Sequence, residues 1–307
     1  FRGVGNSQII HHGQSAFFAA GVALGQTENN IQYYWSSSQR KLKLNQKPIR
    51  RLAEYLGTLQ TVVFCMEDLH LIKGSAKSRR RFLDLLLTQT QPGYLGILHR
   101  YTESLRSRNA LLKRDSPDMS LLDSFTKELI ATGEKLMSFR CQLVKKLSPL
   151  VRLGYRKIAP EVENARLDYK PSVKEDFVLE LNRSRERELR YRSTIIGPHR
   201  DELKLTLDDK PAIHFGSEGQ KRTFSIALKM AQAEYLAGVH GTPPILLIDD
   251  VMGELDAERR AGLMPLISRT GQALGQVFMT CTEENWPSEL SANLHRWNVQ
   301  QGALRRV

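Results

Sequence analysis

The spacing of apolar positions changes character several times along this chain. Within the first sixty residues, aromatic and branched residues cluster in three short runs, Ala16 to Leu24, Ile31 to Trp35 and Lys41 to Leu44. Turn-prone stretches such as Gln26 to Asn30 separate them, a pattern that predicts an antiparallel meander. Leu59 to Phe64 is a further short apolar strand, bounded by Gly57 and the acidic pair Glu67 and Asp68, and it leads into a helix from about Ser75. In that helix Phe82, Leu83, Leu86 and Leu87 recur at helical spacing and are expected to face inward, leaving Arg80, Arg81 and Asp84 on the other side. From Pro92 to about Gly154 the pattern is helical, broken at Ser116 and Pro117, and the amphipathic stretch from Ser120 to Leu153 reads as a long helical arm.

Beyond Pro160 the periods mix again. Ala165 to Tyr169 predicts a strand, Asp176 to Arg190 a charged helix, and Leu203 to Phe215 a hairpin turning at Asp208 and Asp209. A helix is expected from Gly219 to about Leu236. Ile245-Leu246-Leu247-Ile248 is a continuous apolar run of the kind that lies buried in a parallel sheet. A helix from about Asp256 to Ser268 and a core strand from Gln276 to Thr280 follow, and Trp297 to Val299 and Ala303 to Arg306 read as edge strands. Strands and helices in this order predict an α/β fold carrying a helical insertion.

Composition narrows the setting. At 307 residues the chain is long enough to bury a core without disulfides or metals, and no apolar run approaches the roughly 18 residues that a membrane span requires. Cys65, Cys141 and Cys281 are far apart, odd in number and form no CxxC pair, so neither a disulfide framework nor a zinc site follows, and a reducing cytosol is the expected setting. The chain opens on Phe1 without the layout of a signal peptide, so further residues are expected ahead of it. The net charge of +12 is unevenly spread. Residues 73 to 114 hold ten Lys/Arg against Asp84 and Glu103, whereas residues 241 to 307 hold six Arg against eight Asp/Glu. A polyanionic partner for the basic part is one reading, and a solvated helix face is the other.

Three short segments carry chemistry. The apolar run ends in Asp249 and Asp250, two carboxylates at the carboxyl end of a parallel strand, where open α/β sheets bind ligands. This is a Walker B pattern, in which the first acid holds Mg²⁺ through a water and the second orients or deprotonates an attacking water. The same two residues also suit a strand end followed by a helix cap. Gly216-Ser217-Glu218-Gly219-Gln220 offers a hydroxyl, two glycines and a following helix N-terminus, all suited to a phosphate. A plain helix N-cap is the competing reading. Gly253-Glu254-Leu255-Asp256 forms a short turn into the next helix.

Together these segments resemble a known family. Gly216 to Gln220 looks like the signature of ABC-type ATPases, Ile245 to Asp250 like their Walker B, and Gly253 to Asp256 like their D-loop. Two more segments narrow the likeness to the RecF family of SMC-related ATPases. One is Phe64-Cys65-Met66-Glu67-Asp68-Leu69, running into Gly74 and Arg79-Arg80-Arg81-Phe82-Leu83-Asp84. The other is Gly197-Pro198-His199-Arg200-Asp201-Glu202-Leu203. The resemblance spans essentially the whole chain and implies an α/β ABC-type ATPase head. Residues 1–74 and 241–307 would form lobe I, a mixed sheet with core parallel strands, and residues 75–240 the largely helical lobe II with the signature region.

Carried over residue by residue, the resemblance makes Asp249 the magnesium acid and Asp250 the catalytic carboxylate. Ser217, Gly219 and Gln220 would contact the γ-phosphate of ATP held by a second subunit, with Asp256 in the D-loop beside them, so that a homodimer forms on ATP. Glu67 and Asp68 fall where the Q-loop joins the lobes, as nucleotide sensors or as a structural cap. No G-x-x-x-x-G-K-[ST] occurs; the nearest candidate, Lys77-Ser78, follows Ala76 where glycine is demanded. The expectation is that the chain starts downstream of that loop and does not hydrolyse ATP alone, a degenerate relative being the alternative. Thr282 stands where the switch histidine of ABC proteins would fall.

Lys73, Lys77, Arg79, Arg80 and Arg81 are the expected DNA phosphate contacts, although Arg80 also has Asp84 within i, i+4 reach. His199 and Arg200 are assigned to packing between lobes, and His11 and His12 to the surface. The resemblance further implies double-stranded DNA and single-strand/double-strand junctions as ligands, cooperation with RecO and RecR in loading RecA, and no membrane association. The rival from another class is a nucleotide-independent DNA-binding scaffold of the same fold.

Overall fold

The computed structural model describes residues 5–24, 28–49, 55, 57–159, 163–272, 275–281 and 295–306. The first sheet is the expected meander: β1 (Ala16–Leu24), β2 (Glu28–Ser36), β3 (Arg40–Leu44) and β4 (Lys47–Pro48), antiparallel and in that order. Side chains alternate between its faces. Phe17 lies opposite Trp35 and Trp35 opposite Arg40 on one face, while Phe18, Tyr34 and Lys41 form the matching row on the other. Asn45 and Gln46, both at positive φ (51° and 65°), close the two-residue β3–β4 turn with the twist that hairpins favour.

The second sheet draws on both ends of the chain. β5 (Thr61–Phe64) and β10 (Val277–Thr280) flank β9 (Ile245–Asp249), all parallel, in the order β10-β9-β5. Val62, Phe64, Leu246 and Ile248 of this sheet are buried in the main core. Between β5 and β9 runs the long intervening segment: α1 (His70–Lys73), α2 (Ala76–Thr90), α3 (Tyr94–Leu112), α4 (Met119–Ile158), β6 (Ala165–Lys170), α5 (Phe177–Tyr191), β7 (Glu202–Leu207), β8 (Lys210–Pro211), α6 (Ala212–Phe215) and α7 (Glu218–His240). After β9 come α8 (Ala257–Gln272), β10, and a hairpin of β11 (Trp297–Gln300) and β12 (Ala303–Arg306).

The 40 residues of α4 make a helix about 60 Å long at 1.5 Å per residue. Asp118 starts it by accepting from the Leu121 amide at 3.0 Å. The arm expected from the sequence is instead a spine. Buried residues recur from Leu122 through Leu129, Leu136, Leu143 and Val151 to Ile158, and the helix packs against α3, α7, α8 and β6. An apolar stripe sustained over that length has to be covered, and here the chain's own elements cover it.

Three smaller expectations are also revised. The hairpin after Leu203 does turn at Asp208 and Asp209, both at positive φ, but its return strand stops at Pro211 and residues Ala212–Phe215 are helical. Proline brings no amide to the ladder, and the chain turns away there. Among the described residues, Trp297–Gln300 and Ala303–Arg306 pair only with each other, joined at Gln301 and Gly302. Asp84 does not lie on a solvated face of α2. Arg140 of α4 donates two bonds to it, at 2.9 and 3.0 Å, and the Tyr94 hydroxyl a third at 2.6 Å, because α2 packs on α4 through this flank as well. Arg80 donates to the Asp201 carbonyl at 2.6 Å.

A second ionic group lies deeper. Arg108 of α3 and Glu188 of α5 are both fully buried and pair at 2.7 Å. Thr126 and Thr194 accept from the Arg108 Nε and Nη1, at 2.9 and 2.8 Å. Among the described residues no helix is long and apolar enough to cross a membrane.

Candidate functional site

β9 is the middle strand of the parallel sheet, and it delivers Asp249 to the sheet's carboxyl end. Parallel register sets Thr280 of β10 beside it, and the Thr280 hydroxyl donates to Asp249 Oδ1 at 2.8 Å. The next residue, Asp250, has φ +56°, the left-handed region that non-glycine residues seldom occupy, and its amide donates to the Thr280 carbonyl at 3.1 Å. The chain thus turns sharply between the two acids. Val251, Met252 and Leu255 are buried, which anchors the turn that follows. Asp256 then caps α8, accepting from the Arg259 amide at 2.9 Å.

Among the described residues no three His, Cys, Asp or Glu cluster as a metal cage. A single strand-end carboxylate with a hydroxyl beside it fits Mg²⁺, which keeps most of its waters and takes its other ligands from phosphates.

The turn before α7 is a capping box. Ser217 Oγ accepts from the Gln220 amide at 3.2 Å, and Gln220 Oε1 accepts from the Ser217 amide at 2.5 Å. The N-cap reading is therefore realised. It leaves the first-turn amides of Glu218 and Gly219 without intrahelical partners, directed outward with the positive end of a 23-residue helix. Ser217 is exposed. The Gln220 amide nitrogen donates to Glu163, which also accepts from the Tyr155 hydroxyl, so both ends of the Gln220 amide are held within the chain. Arg259 reaches across from α8: it bonds Asp256 and donates to Thr223 Oγ1 at 2.8 Å. A Cβ on Gly219 would lie 3.0 Å from its guanidinium. Gly219 thus serves a contact inside the chain, and Arg259 ties the start of α8 to the first turn of α7.

At the end of β5, Asp68 accepts from the Cys65 amide at 2.9 Å and pairs with Lys229 of α7 at 3.3 Å. Burial raises its carboxyl pKa against the pull of Lys229. Burial and the neighbouring acids push the Cys65 thiol up to about 12, so it is held as an unreactive thiol. Of the two acids singled out in the sequence, Asp68 has the structural cap and also contacts the helix that bears Ser217. A cavity of about 30 Å³ lies here, lined by Cys65, Asp68, Arg222 and Lys229 together with Val251 and Leu255 from the turn after β9.

The basic cluster divides. Arg79 is buried and forms a bidentate pair with Glu202, at 2.8 and 3.0 Å, while its Nη1 donates to the carbonyls of Leu71 and Gly74. All three guanidinium nitrogens donate inside the fold, which removes Arg79 from the expected phosphate contacts. Arg80 is half-buried, and desolvation lowers its pKa. Lys73 Nζ lies 2.5 Å from Glu218, an ion pair between the start of the basic region and the capping turn. Its first effect is to lower the Glu218 carboxyl pKa. Lys77 and Arg81 are exposed and make no ion pair among the described residues. Elsewhere in the basic stretch, Arg108 is buried with Glu188 and Arg100 pairs with Glu128. His199 is held between the Tyr101 hydroxyl at 2.6 Å and the Thr194 carbonyl at 3.1 Å, both within residues 75–240, so these contacts are internal to that stretch and not between lobes. His11 and His12 are exposed.

This geometry has known counterparts. The chain is 38% identical over 263 residues to the DNA replication and repair protein RecF of Geobacter metallireducens, a match covering 82% of this chain and 71% of that protein. It is 33% identical over 317 residues to RecF of Leptospira interrogans serogroup Icterohaemorrhagiae serovar Lai, covering 100% and 86%. The chain belongs to the RecF family. No protein-family model matches it. Among solved structures, the recombination mediator protein RecF-ATP of the RecFOR pathway superimposes with a TM-score of 0.87 at 26% identity, covering all of this chain and 84% of that one. RecF-ATPrS superimposes at 0.85 with 25% identity, over the same shares. The Smc head domain of Pyrococcus furiosus, at 15% identity and a TM-score of 0.51, shares the fold. The RecF-family chain is thus an α/β ABC-type ATPase head.

Several residues that shape the RecF-like site escaped the sequence reading. Thr280, Glu163 and Lys229 act across elements distant in the chain, and only the register or the packing reveals them. Arg259 left one local signal, an arginine three residues after a capping aspartate. Thr282 lies outside the described residues.

Proposed function

We propose that this chain works in DNA replication and recombinational repair as an ATP-dependent, DNA-binding member of the RecF family. The observation that carries this reading is the delivery of Asp249 and Asp250 to the carboxyl end of the central parallel strand, in a chain of that family. Asp249, oriented by Thr280, would hold Mg²⁺, which would supply neutralising charge to an ATP phosphate. Asp250, swung away by its left-handed backbone, orients the attacking water. Ser217 and the free amides of Glu218 and Gly219 present an anion site to the nucleotide of a second copy, so ATP joins two copies at composite sites. The Gln220 amide contributes only after leaving Glu163. Asp256 works at the same interface through its tie to Arg259. Lys77 and Arg81, with Lys73 and Arg80 beside them, bind duplex DNA near single-strand junctions. The RecFOR setting of the solved relatives supports RecO and RecR as partners, with RecA loading as the outcome.

The test uses a form of the protein that carries a G-x-x-x-x-G-K-[ST] loop. Asp250→Asn should slow steady-state phosphate release by on the order of 100-fold while ATP binding persists. Ser217→Arg should abolish ATP-dependent dimerisation in sedimentation while each monomer still binds ATP. Normal dimerisation of Ser217→Arg, with duplex affinity indifferent to ATP, would instead support a nucleotide-independent scaffold.

A further inference from the structure

The meander has two unlike faces. On one, Phe17 stacks on Trp35 with centroids 6.1 Å apart and tilts onto Tyr33 at 5.7 Å. Arg40 covers the Tyr33 ring at 5.8 Å, and Asn6 bonds the Tyr33 hydroxyl at 2.9 Å. That face is occupied by its own side chains.

The other face is bare. Register places Phe18, Tyr34 and Lys41 in one row across three strands and Gln32 and Lys43 in the next. With Gln39 they line a shallow open depression of about 360 Å³. Phe18 is 63% exposed, and among the described residues neither it nor Tyr34 stacks on another ring. Lys41 and Lys43 make no ion pair among the described residues, and the sole acid between residues 16 and 48 is Glu28, at the far end of β2. Rings without ring partners beside two unpaired ammonium groups mark an interaction surface. The occupant that matches both is a polyanion with exposed flat bases. A single nucleic-acid strand offers this, whereas a duplex keeps its bases stacked inside. Lys41 and Lys43 stand two residues apart on one strand face, about 6.8 Å, a spacing suited to successive phosphates of an extended strand. Gln32, whose amide nitrogen donates to Asn30 Oδ1 at 3.3 Å, brings an amide oxygen able to accept from a base edge.

We propose that this face of β1, β2 and β3 is a single-stranded DNA platform, with bases stacked on Phe18 and Tyr34 and the backbone tracked by Lys41 and Lys43. The proposal rests on the DNA-repair reading and assigns the single-stranded side of a junction to a surface separate from Lys77 and Arg81.

Binding of a labelled oligothymidylate and of a labelled blunt duplex, each followed by anisotropy over a salt series, tests it. Phe18→Ala/Tyr34→Ala should weaken oligothymidylate binding about tenfold or more and leave duplex binding unchanged, since each stacked base contributes on the order of 1–3 kcal/mol. Lys41→Ala/Lys43→Ala should lower the single-strand salt slope by about 1.4. Bromodeoxyuridine crosslinking should capture Phe18 or Tyr34. All four substitutions are on the bare face, and thermal melts check that the variants fold. Oligothymidylate affinity unchanged in the aromatic variant, or an equal loss on duplex, overturns the proposal. Loss of duplex binding in Lys77→Ala/Arg81→Ala reads the other surface, so the two ideas fail separately.

Discussion

His199 shows how a residue in a recognised motif can serve the fold before the chemistry. The Thr194 carbonyl can only accept, so Nε2 carries the proton and Nδ1 accepts from Tyr101. Desolvation first, and then the nearby Arg200, Arg80 and Arg108, lower its pKa to about 4, against an unfolded value near 6.5. Because the folded pKa lies below the unfolded one, the unfolded chain binds more protons between those values. The neutral ring's contribution is therefore complete above about pH 6.5 and drains away as pH falls toward 4, amounting to roughly 3 kcal/mol. Urea unfolding at pH 7 and pH 4.5 should show stability falling with acid, and His199→Gln should show a clearly smaller fall. The comparison with the variant matters because Asp201 and Asp68, whose pKa values are raised by burial, respond in the opposite sense. Equal pH dependence in the two proteins would remove His199 as the source. At this scale the positions of Asp249, Asp250 and Ser217 were legible, because strand ends and helix starts follow from apolar runs and capping residues. It hid the engagement of Arg79, whose partner Glu202 is 123 residues away.

Elements are joined here by close approaches as much as by apolar area. A Cβ on Gly262 would come within 2.6 Å of the Ile158 side chain and nearer still to the Lys157 carbonyl, so α8 crosses the end of α4 with no room for a methyl group. Gly262→Ala should cost about 1–3 kcal/mol, as overpacking does, measured as a drop in the urea midpoint at constant slope. Because α8 begins at Asp256, the same variant should also slow ATP turnover in the form that carries the G-x-x-x-x-G-K-[ST] loop more than it weakens ATP binding. The Arg108–Glu188 pair clips α3 to α5 in the same way. Arg108→Met strands a buried carboxylate and should cost about 3–5 kcal/mol, whereas Arg108→Met/Glu188→Leu should recover much of that loss. Recovery shows that the cost lay in the unpaired charge; its absence locates the cost in packing. Helix and strand spans were readable from apolar period and caps. What the period could not tell is what covers each stripe, which is why α4 read as an arm when it is the spine.

Across the whole molecule, the charge asymmetry seen in the sequence survives in altered form. The basic stretch from 73 to 114 supplied a surplus, but folding spends Arg79 and Arg108 on internal acids and pairs Lys73 with Glu218 and Arg100 with Glu128. Charge counting cannot separate buried from exposed arginines, because both sit in the same kind of amphipathic helix. Of the five residues singled out for DNA, Lys77 and Arg81 are left exposed and unpaired among the described residues, one turn apart on α2. Each phosphate contact on duplex DNA contributes about 0.9 to the slope of log affinity against log salt. Lys77→Ala/Arg81→Ala should therefore lower that slope by about 1.8, equally on unrelated duplex sequences, with little change in the melting temperature. Arg79→Ala should do the reverse, lowering the melting temperature by removing the buried guanidinium that bonds the Leu71 and Gly74 carbonyls and Glu202, while the slope stays near its wild-type value once the protein is folded. Anisotropy over a salt series, run beside thermal melts for the three proteins, separates these outcomes. A slope unchanged in the Lys77 and Arg81 variant would return the α2 cluster to a solvated helix face and move the duplex surface elsewhere on the head.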